Sequence, residues 1–154
     1  MTADEAEALR ARLNAYPPYV GAGIVITHLA EDASEIRVEM PLTDRNVNLV
    51  GTHFGGSLYA MVDPHLMILL IHRLGPEYLV WDRAASIEFV KPGRGTVTAI
   101  VRITDEEIDE IRAAATDGEK HHPQWMVAIE DEEGAAVATV LKTVYVRRRR
   151  EAGA

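Results

Sequence analysis

The stretch from Ser57 to Leu74 constrains this chain more than any other. It contains no glycine and is apolar on nearly every side. A helix that is hydrophobic all round is a buried helix. Its longest apolar run, Leu66 to Ile71, falls far short of the roughly 20 residues that cross a bilayer. The cover must therefore be protein. Pro64 interrupts the pattern and is expected to cost up to about 3 kcal/mol or to bend the helix. Gly75-Pro76 ends it.

The remaining chain supplies that cover. Thr2-Ala3-Asp4-Glu5 reads as a capping box opening a short amphipathic helix over 3–15, which Pro17-Pro18 stops. Ile24 to Leu29 is rich in β-branched residues, and Glu31-Asp32-Ala33-Ser34 is turn chemistry. Glu35 to Met40 then alternates charged and apolar, the mark of a half-buried antiparallel strand. Thr43 to Gly56 is polar and reads as a loop. Tyr78 to Val90 predicts a long strand closed by Lys91-Pro92-Gly93-Arg94-Gly95, and Thr96 to Ile103 another. Thr104 to Glu107 is a second capping box, opening a helix with Ile108, Ile111 and Ala115 on one side and Gly118 at its end. Trp125 to Glu130 and Val137 to Val146 are two strands joined by a hairpin turn at Asp131 to Gly134.

One buried helix against one curved, mainly antiparallel sheet is an α+β layer architecture. Helix 104–118 is left to cover an edge or end. A length of 154 residues fits one domain. We read it over 1–146, with an N-terminal helix over 1–17, a central helix over 54–74 and a basic C-terminal tail over 147–154.

Composition removes several chemistries. With no cysteine, a disulfide scaffold, a thiolate zinc site, an Fe–S cluster and a Cys nucleophile are excluded. The 24 acidic against 16 basic side chains give a net charge of -8, which argues against a general nucleic-acid binder. Residues 1–12 lack the apolar core of a signal peptide, so a cytoplasmic protein without membrane association is the expectation.

The chemistry-bearing segment runs from Asn48 to Asp63. Gly55-Gly56 just before a long helix leaves backbone N–H groups free at the positive end of the helix dipole, an arrangement that suits an oxyanion. The other reading is a plain tight turn. Asp63 lies two turns on, in apolar surroundings, where a carboxylate needs a partner or a raised pKa. It suits a general base or nucleophile, or it caps a bend at Pro64. Gly55 and Asp63 are about 12 Å apart along such a helix, too far to act on one carbonyl within one protomer. Asn48 also suits a loop Asx turn, and His53 a loop hydrogen bond. Strict alternation groups Asp82 with Ala84, Ser86 and Glu88, opposite Ile87 and Phe89, toward solvent or a subunit interface. Asp63, His65 and His72 do not share a helix face, so no metal site is expected. Ser57 lacks a nucleophile elbow. Lys91 with Arg94, and the run Arg147 to Arg150, suit phosphate groups or a solvated surface.

Asn48, Gly51 and His53-Phe54-Gly55-Gly56, with Asp63 about two turns into the helix, resemble the signature of hotdog-fold acyl-CoA thioesterases of the phenylacetate-pathway and small human type. The chain is more similar still to a bacterial branch of that superfamily, a domain of unknown function. That branch carries Gly-Thr-His-Phe-Gly-Gly (51–56), Val-Asp-Pro (62–64), Val-Trp-Asp (80–82) and Lys-Thr-Val-Tyr-Val-Arg (142–147). The resemblance implies the hotdog fold, a curved antiparallel sheet wrapped around a long central helix. It also implies hydrolysis of an acyl-CoA at a dimer interface. One subunit would supply the Gly55-Gly56 amide and the other Asp63.

By the same comparison Asn48 and His53 would orient the thioester, and Asp82 falls where a Ser or Thr places the water. Phe54 stands at the position of the family's His, with His53 one residue earlier. Lys91 and Arg94 would meet coenzyme A, which enters as part of the substrate rather than as a cofactor. Tyr59, Met61 and Met67 are acyl-contact candidates, or plain core. The partners implied are a small acyl-CoA-like molecule and further copies of the chain, as dimer or tetramer. The alternatives are a non-catalytic acyl-CoA or lipid-binding hotdog module and a hotdog dehydratase using His53 with Asp63.

Overall fold

The computed structural model describes residues 1–149. Helix α1 spans Ala3–Asn14. The Thr2 hydroxyl accepts from the Glu5 amide at 3.2 Å, and the Glu5 carboxylate accepts from the Thr2 amide at 2.8 Å. Pro17-Pro18 does end this helix, but it also begins another, α2 over Pro17–Ala22. Proline suits a first helical turn, where no acceptor awaits its missing N–H.

The strands are β1 Val25–Leu29, β2 Glu35–Pro41, β3 Tyr78–Phe89, β4 Thr96–Arg102, β5 Lys120–His121, β6 Gln124–Glu130 and β7 Ala136–Arg148. They form one sheet in the order β1-β2-β4-β6-β7-β3, with β5 also on β7, and every pairing is antiparallel. The 91–95 turn therefore carries the chain from one edge of the sheet to its middle, because β3 and β4 are not neighbours. Strand β7 continues through Arg147 and Arg148, and the Arg149 amide donates to the Glu77 carbonyl at 2.7 Å. The arginine run thus starts inside the sheet, and Arg150 lies outside the described residues.

The inward stripes follow the two-residue period of strands. Ile36, Val38 and Met40 on β2, Val97, Ala99 and Val101 on β4, and Val127 and Ile129 on β6 are all buried. Against them lies the central helical segment. It is not one helix. Helix α3 covers Gly55–Ala60, and α4 covers His65–Leu74. The break has the cause anticipated: proline lacks the N–H to continue the ladder, and its ring collides with the carbonyl four residues back. For Pro64 that residue is Ala60, the last of α3.

Leu58, Met61, Val62, Leu66, Leu69, Leu70 and Leu74 are buried, while Ile71 is exposed. Each buried leucine contributes roughly 1.5–3 kcal/mol. Helix α5, Asp105–Ala114, buries Ile108 and Ile111 and opens with its own closed capping box at Thr104. Arg73 near the end of α4 donates to the Ile103 carbonyl and to Asp105, which ties α5 to the end of the core helix. Among the described residues, no helix is long and apolar enough to cross a membrane.

Candidate active site

The break at Pro64 leaves the backbone of Asp63 without helical partners downstream, and the fold meets this from a distance. The Tyr19 hydroxyl on α2 donates to the Asp63 carbonyl. That hydroxyl also lies 3.1 Å from His65 Nε2. Full burial drives the His65 pKa down to about 4, with the Asp63 charge opposing and the Lys142 charge assisting. The imidazole is therefore neutral. The bend is thus capped by Tyr19, and the Asp63 side chain turns elsewhere.

It turns to Lys142. This lysine stands in the inward stripe of β7 between Val140 and Val144, and its side chain has no exposure. An ammonium has three donors and no tolerance for leaving them unmet in a core. All three are met: by Asp63 Oδ1, by the Tyr59 hydroxyl at 3.1 Å and by Asp82 Oδ2 at 3.1 Å. Tyr59 in turn donates to Asp63 Oδ1 at 3.3 Å. Burial works to lower the Lys142 pKa, but bonds to Asp63, Tyr59 and Asp82 outweigh it and hold the amine above its usual value.

The two carboxyl groups diverge. Burial lifts Asp63, but the hydrogen bond and charge of Lys142, with help from Asp82 and Tyr59, bring it below the ordinary carboxylate range. Burial also lifts Asp82. There the neighbouring Asp63 adds to the effect, Lys142 only partly offsets it, and the net shift is upward. Asp82 Oδ1 is buried and faces no donor among the described residues.

Asp82 reaches this cluster through an irregularity. The β3–β7 register pairs Asp82 with Val144 but Ala84 with Thr143, so Arg83 is an extra residue. A bulge of one residue moves everything beyond it to the opposite face. Asp82 therefore shares the inner face with Ile87 and Phe89. The alternation that grouped it with Ala84, Ser86 and Glu88 fails at Arg83.

The glycine end of the segment is a separate place. Asn48, Thr52, His53, Gly55, Phe89 and Lys91 are among the residues lining a cavity of about 430 Å³, and neither Asp63 nor Asp82 lines it. Asn48 Oδ1 accepts from the amides of Val50 and Thr52, both at 3.0 Å. Its Nδ2 donates to Thr52 Oγ1 at 2.9 Å and to the His53 carbonyl at 3.2 Å. Its side chain is thus spent on the loop. His53 Nε2 lies 3.0 Å from the Gly95 carbonyl, and Nδ1 is buried without a partner among the described residues. Burial lowers its pKa against the opposing pull of that carbonyl.

Gly55 and Gly56 form the first turn of α3, and the cap residue Phe54 offers no side-chain acceptor. Six residues make only a short dipole, so what these glycines present is chiefly unpaired N–H groups. A Cβ on Gly55 would stand 2.7 Å from the Phe89 ring, so only glycine leaves that approach clear. Lys91 is paired with Asp131. Arg94 is exposed at the same turn. Met61 is fully buried core, Met67 is half-buried, and Tyr59 serves the carboxylate cluster.

Sequence reasoning missed Lys142 and His65 as parts of this constellation. For Lys142 the signal was present: the period of β7 puts it in line with Ala138, Val140, Val144 and Val146.

A helical segment wrapped by one antiparallel sheet, with a carboxylate in its middle and a Gly-Gly turn at its start, defines the hotdog class. Solved structures agree. PA5026 of Pseudomonas aeruginosa, a protein of unknown function and probable thioesterase, superposes with a TM-score of 0.79 at 19% identity, covering 93% of this chain and 95% of that one. Thioesterase HI1161 of Haemophilus influenzae gives 0.68 at 19%, covering 97% and 94%. A mutant of thioesterase PA1618 of Pseudomonas aeruginosa gives 0.68 at 15%, covering 93% and 94%. The chain belongs to the family described as a domain of unknown function, DUF4442, whose model matches residues 6–146. No curated protein matches it.

Proposed function

We propose that this protein hydrolyses a thioester of the acyl-CoA type, with Asp63 as general base or nucleophile. The observation that carries the reading is the Asp63 carboxylate. It is held ionised by a buried lysine, yet its side chain keeps 40% exposure in the middle of the central helical segment. Such a group is desolvated enough to be reactive and open enough to meet water or a carbonyl. The thioesterase descriptions of several structural neighbours support the same reaction class.

The carbonyl would be polarised by the Gly55-Gly56 amides of a second copy, since the glycine cavity and the carboxylate cluster are apart within one chain. Two features support a second copy. Strand β3 is 12 residues long and lies at the end of the sheet, pairing only with β7 among the described strands, and long open edges seek a partner. Phe89 is exposed at the glycine cavity, and Leu49, Val50 and Phe54 are exposed around a second hollow that shares Asn48 with it. Such apolar clusters mark association sites. Arg94 would meet a coenzyme A phosphate, with Lys91 joining on release from Asp131. A dehydratase would need a histidine nitrogen open to substrate, and His53 is buried with its unpartnered Nδ1 out of contact with solvent.

The test is thiol release from a panel of acyl-CoAs by wild type and Asp63→Ala, with sedimentation to fix the oligomeric state. Turnover by wild type with at least 100-fold loss in the variant is expected. No turnover of any acyl-CoA, or a variant as active as wild type, would overturn the hydrolase reading. Retained coenzyme A binding would then favour the binding module. A purely monomeric active protein would overturn the shared site.

A further inference from the structure

We infer that Asp63 and Asp82 form a proton relay mounted on Lys142, in which Asp63 takes a proton from the attacking water and Asp82 delivers one to the leaving sulfur. This rests on the hydrolase reading above and adds a second catalytic residue and a positioning residue to it.

The geometry is that of two carboxyl groups and one cation. Lys142 Nζ contacts both Asp63 Oδ1 and Asp82 Oδ2, which gathers the two carboxyls on one ammonium. Two like charges held against one ammonium oppose each other, so the pair takes up its first proton more readily than an isolated carboxylate does. Asp63 sits deeper in the reach of Lys142 and Tyr59, which donates to it, and takes the negative charge. Asp82 Oδ1 is a buried acceptor with no donor among the described residues, and a resting proton removes that cost.

The other titratable groups packed around the pair are neutral: burial keeps Tyr19 protonated and His65 uncharged. Both carboxyls reach the surface, with 40% and 25% of their side chains exposed, whereas Lys142 has none. The carboxyls can meet substrate, and the lysine acts through them.

The step balances. The water oxygen bonds to the acyl carbon while its proton passes to Asp63. The tetrahedral oxyanion collapses, the C–S bond breaks, and the thiolate takes the proton held by Asp82. The pair is now inverted, and the proton on Asp63 returns to Asp82, the two groups being held on the same ammonium. The carboxylic acid product loses its own proton to solvent. The pair plus ammonium carries no net charge before and after, and one positive charge while the oxyanion exists.

The test compares leaving groups. An alkyl thiolate needs protonation, whereas p-nitrophenolate leaves without it. For Asp82→Asn, the loss of kcat on the best acyl-CoA should exceed the loss on the p-nitrophenyl ester of the same acyl group by at least tenfold. Equal losses on both substrates would overturn the relay. Lys142→Met should move the acid limb of the kcat/KM profile for the ester upward by one pH unit or more, which a packing defect alone would not do. An unmoved limb would overturn the positioning role.

Carbon-13 titration of the wild-type aspartate carboxyls is independent of catalysis and of how the variants fold. Asp82 should take up its proton at a higher pH than Asp63 does, and should hold it where thiol release is fastest. An Asp82 ionised throughout the active pH range would overturn the relay. A shared proton in a protein that cleaves neither substrate would uphold the pair and overturn the hydrolase reading instead.

Discussion

Lys142 and Asp82 lie 3.1 Å apart across β7 and β3, and they meet only because the register slips by one residue at Arg83. Without that slip the aspartate would stand on the outer face, and the ammonium would have two acceptors instead of three. The bulge thus converts an edge-strand carboxylate into part of a buried polar network. In such networks every unmet member is costly.

Removing the cation should therefore be costly. Lys142→Met strands two half-buried carboxyl groups, and breaking a buried pair from one side costs about 3 kcal/mol. Urea unfolding at neutral pH should show a loss of that order. The loss should shrink in acid, where both carboxyls are protonated. A variant as stable as wild type at pH 7 would contradict the role given to Lys142.

His65 should dominate acid sensitivity. Its folded pKa of about 4 lies below its unfolded value. The sign follows from linkage: the neutral form is required in the fold, so its contribution is complete above about pH 6.5 and falls away as the pH drops toward about 4. A shift of this size corresponds to about 3 kcal/mol for a fully buried group. Thermal midpoints of wild type should decline through that window, and those of His65→Leu should decline less steeply.

Asn48 should prove a residue of loop order. Asn48→Ala removes the acceptor of the Val50 and Thr52 amides. Hydrogen exchange at those two amides should accelerate at least tenfold, with global stability lowered by about 1–2 kcal/mol. Unchanged protection would return the side chain to a direct role with substrate.

Gly55→Ala separates space from stability. The new methyl meets the Phe89 ring, which is 60% exposed and can swing aside. Stability should change by less than about 1 kcal/mol. Thiol release should fall at least tenfold, because the methyl occupies the approach to the N–H group. A fully active variant would remove the Gly55 amide from the mechanism.

Much of this protein is legible in its residue order. The two capping boxes close as written, since a threonine and a glutamate three apart need nothing beyond their own backbone. The strand periods place the inward stripes, and the apolar stretch from Ser57 to Leu74 demands a sheet to wrap it. Even the helix break is marked by Pro64. Asp63 is identified as a buried carboxylate in need of a partner, because local composition alone makes a lone charge there untenable.

The partner is another matter. Asp63, Tyr59, Asp82 and Lys142 come from the central segment and two strands separated by up to 83 positions in sequence. Nothing local encodes their meeting. A bulge has no compositional signature; it arises because packing of the inner face favours an extra residue on β3 over an unbroken ladder. The same holds for Tyr19, whose hydroxyl reaches across 44 residues to the carbonyl that Pro64 frees. Which elements form and which faces are apolar can be read from residue order, because both follow from backbone propensity and periodicity. Which charges neutralise one another cannot, because that depends on strand register and on where a broken helix sets its side chains down.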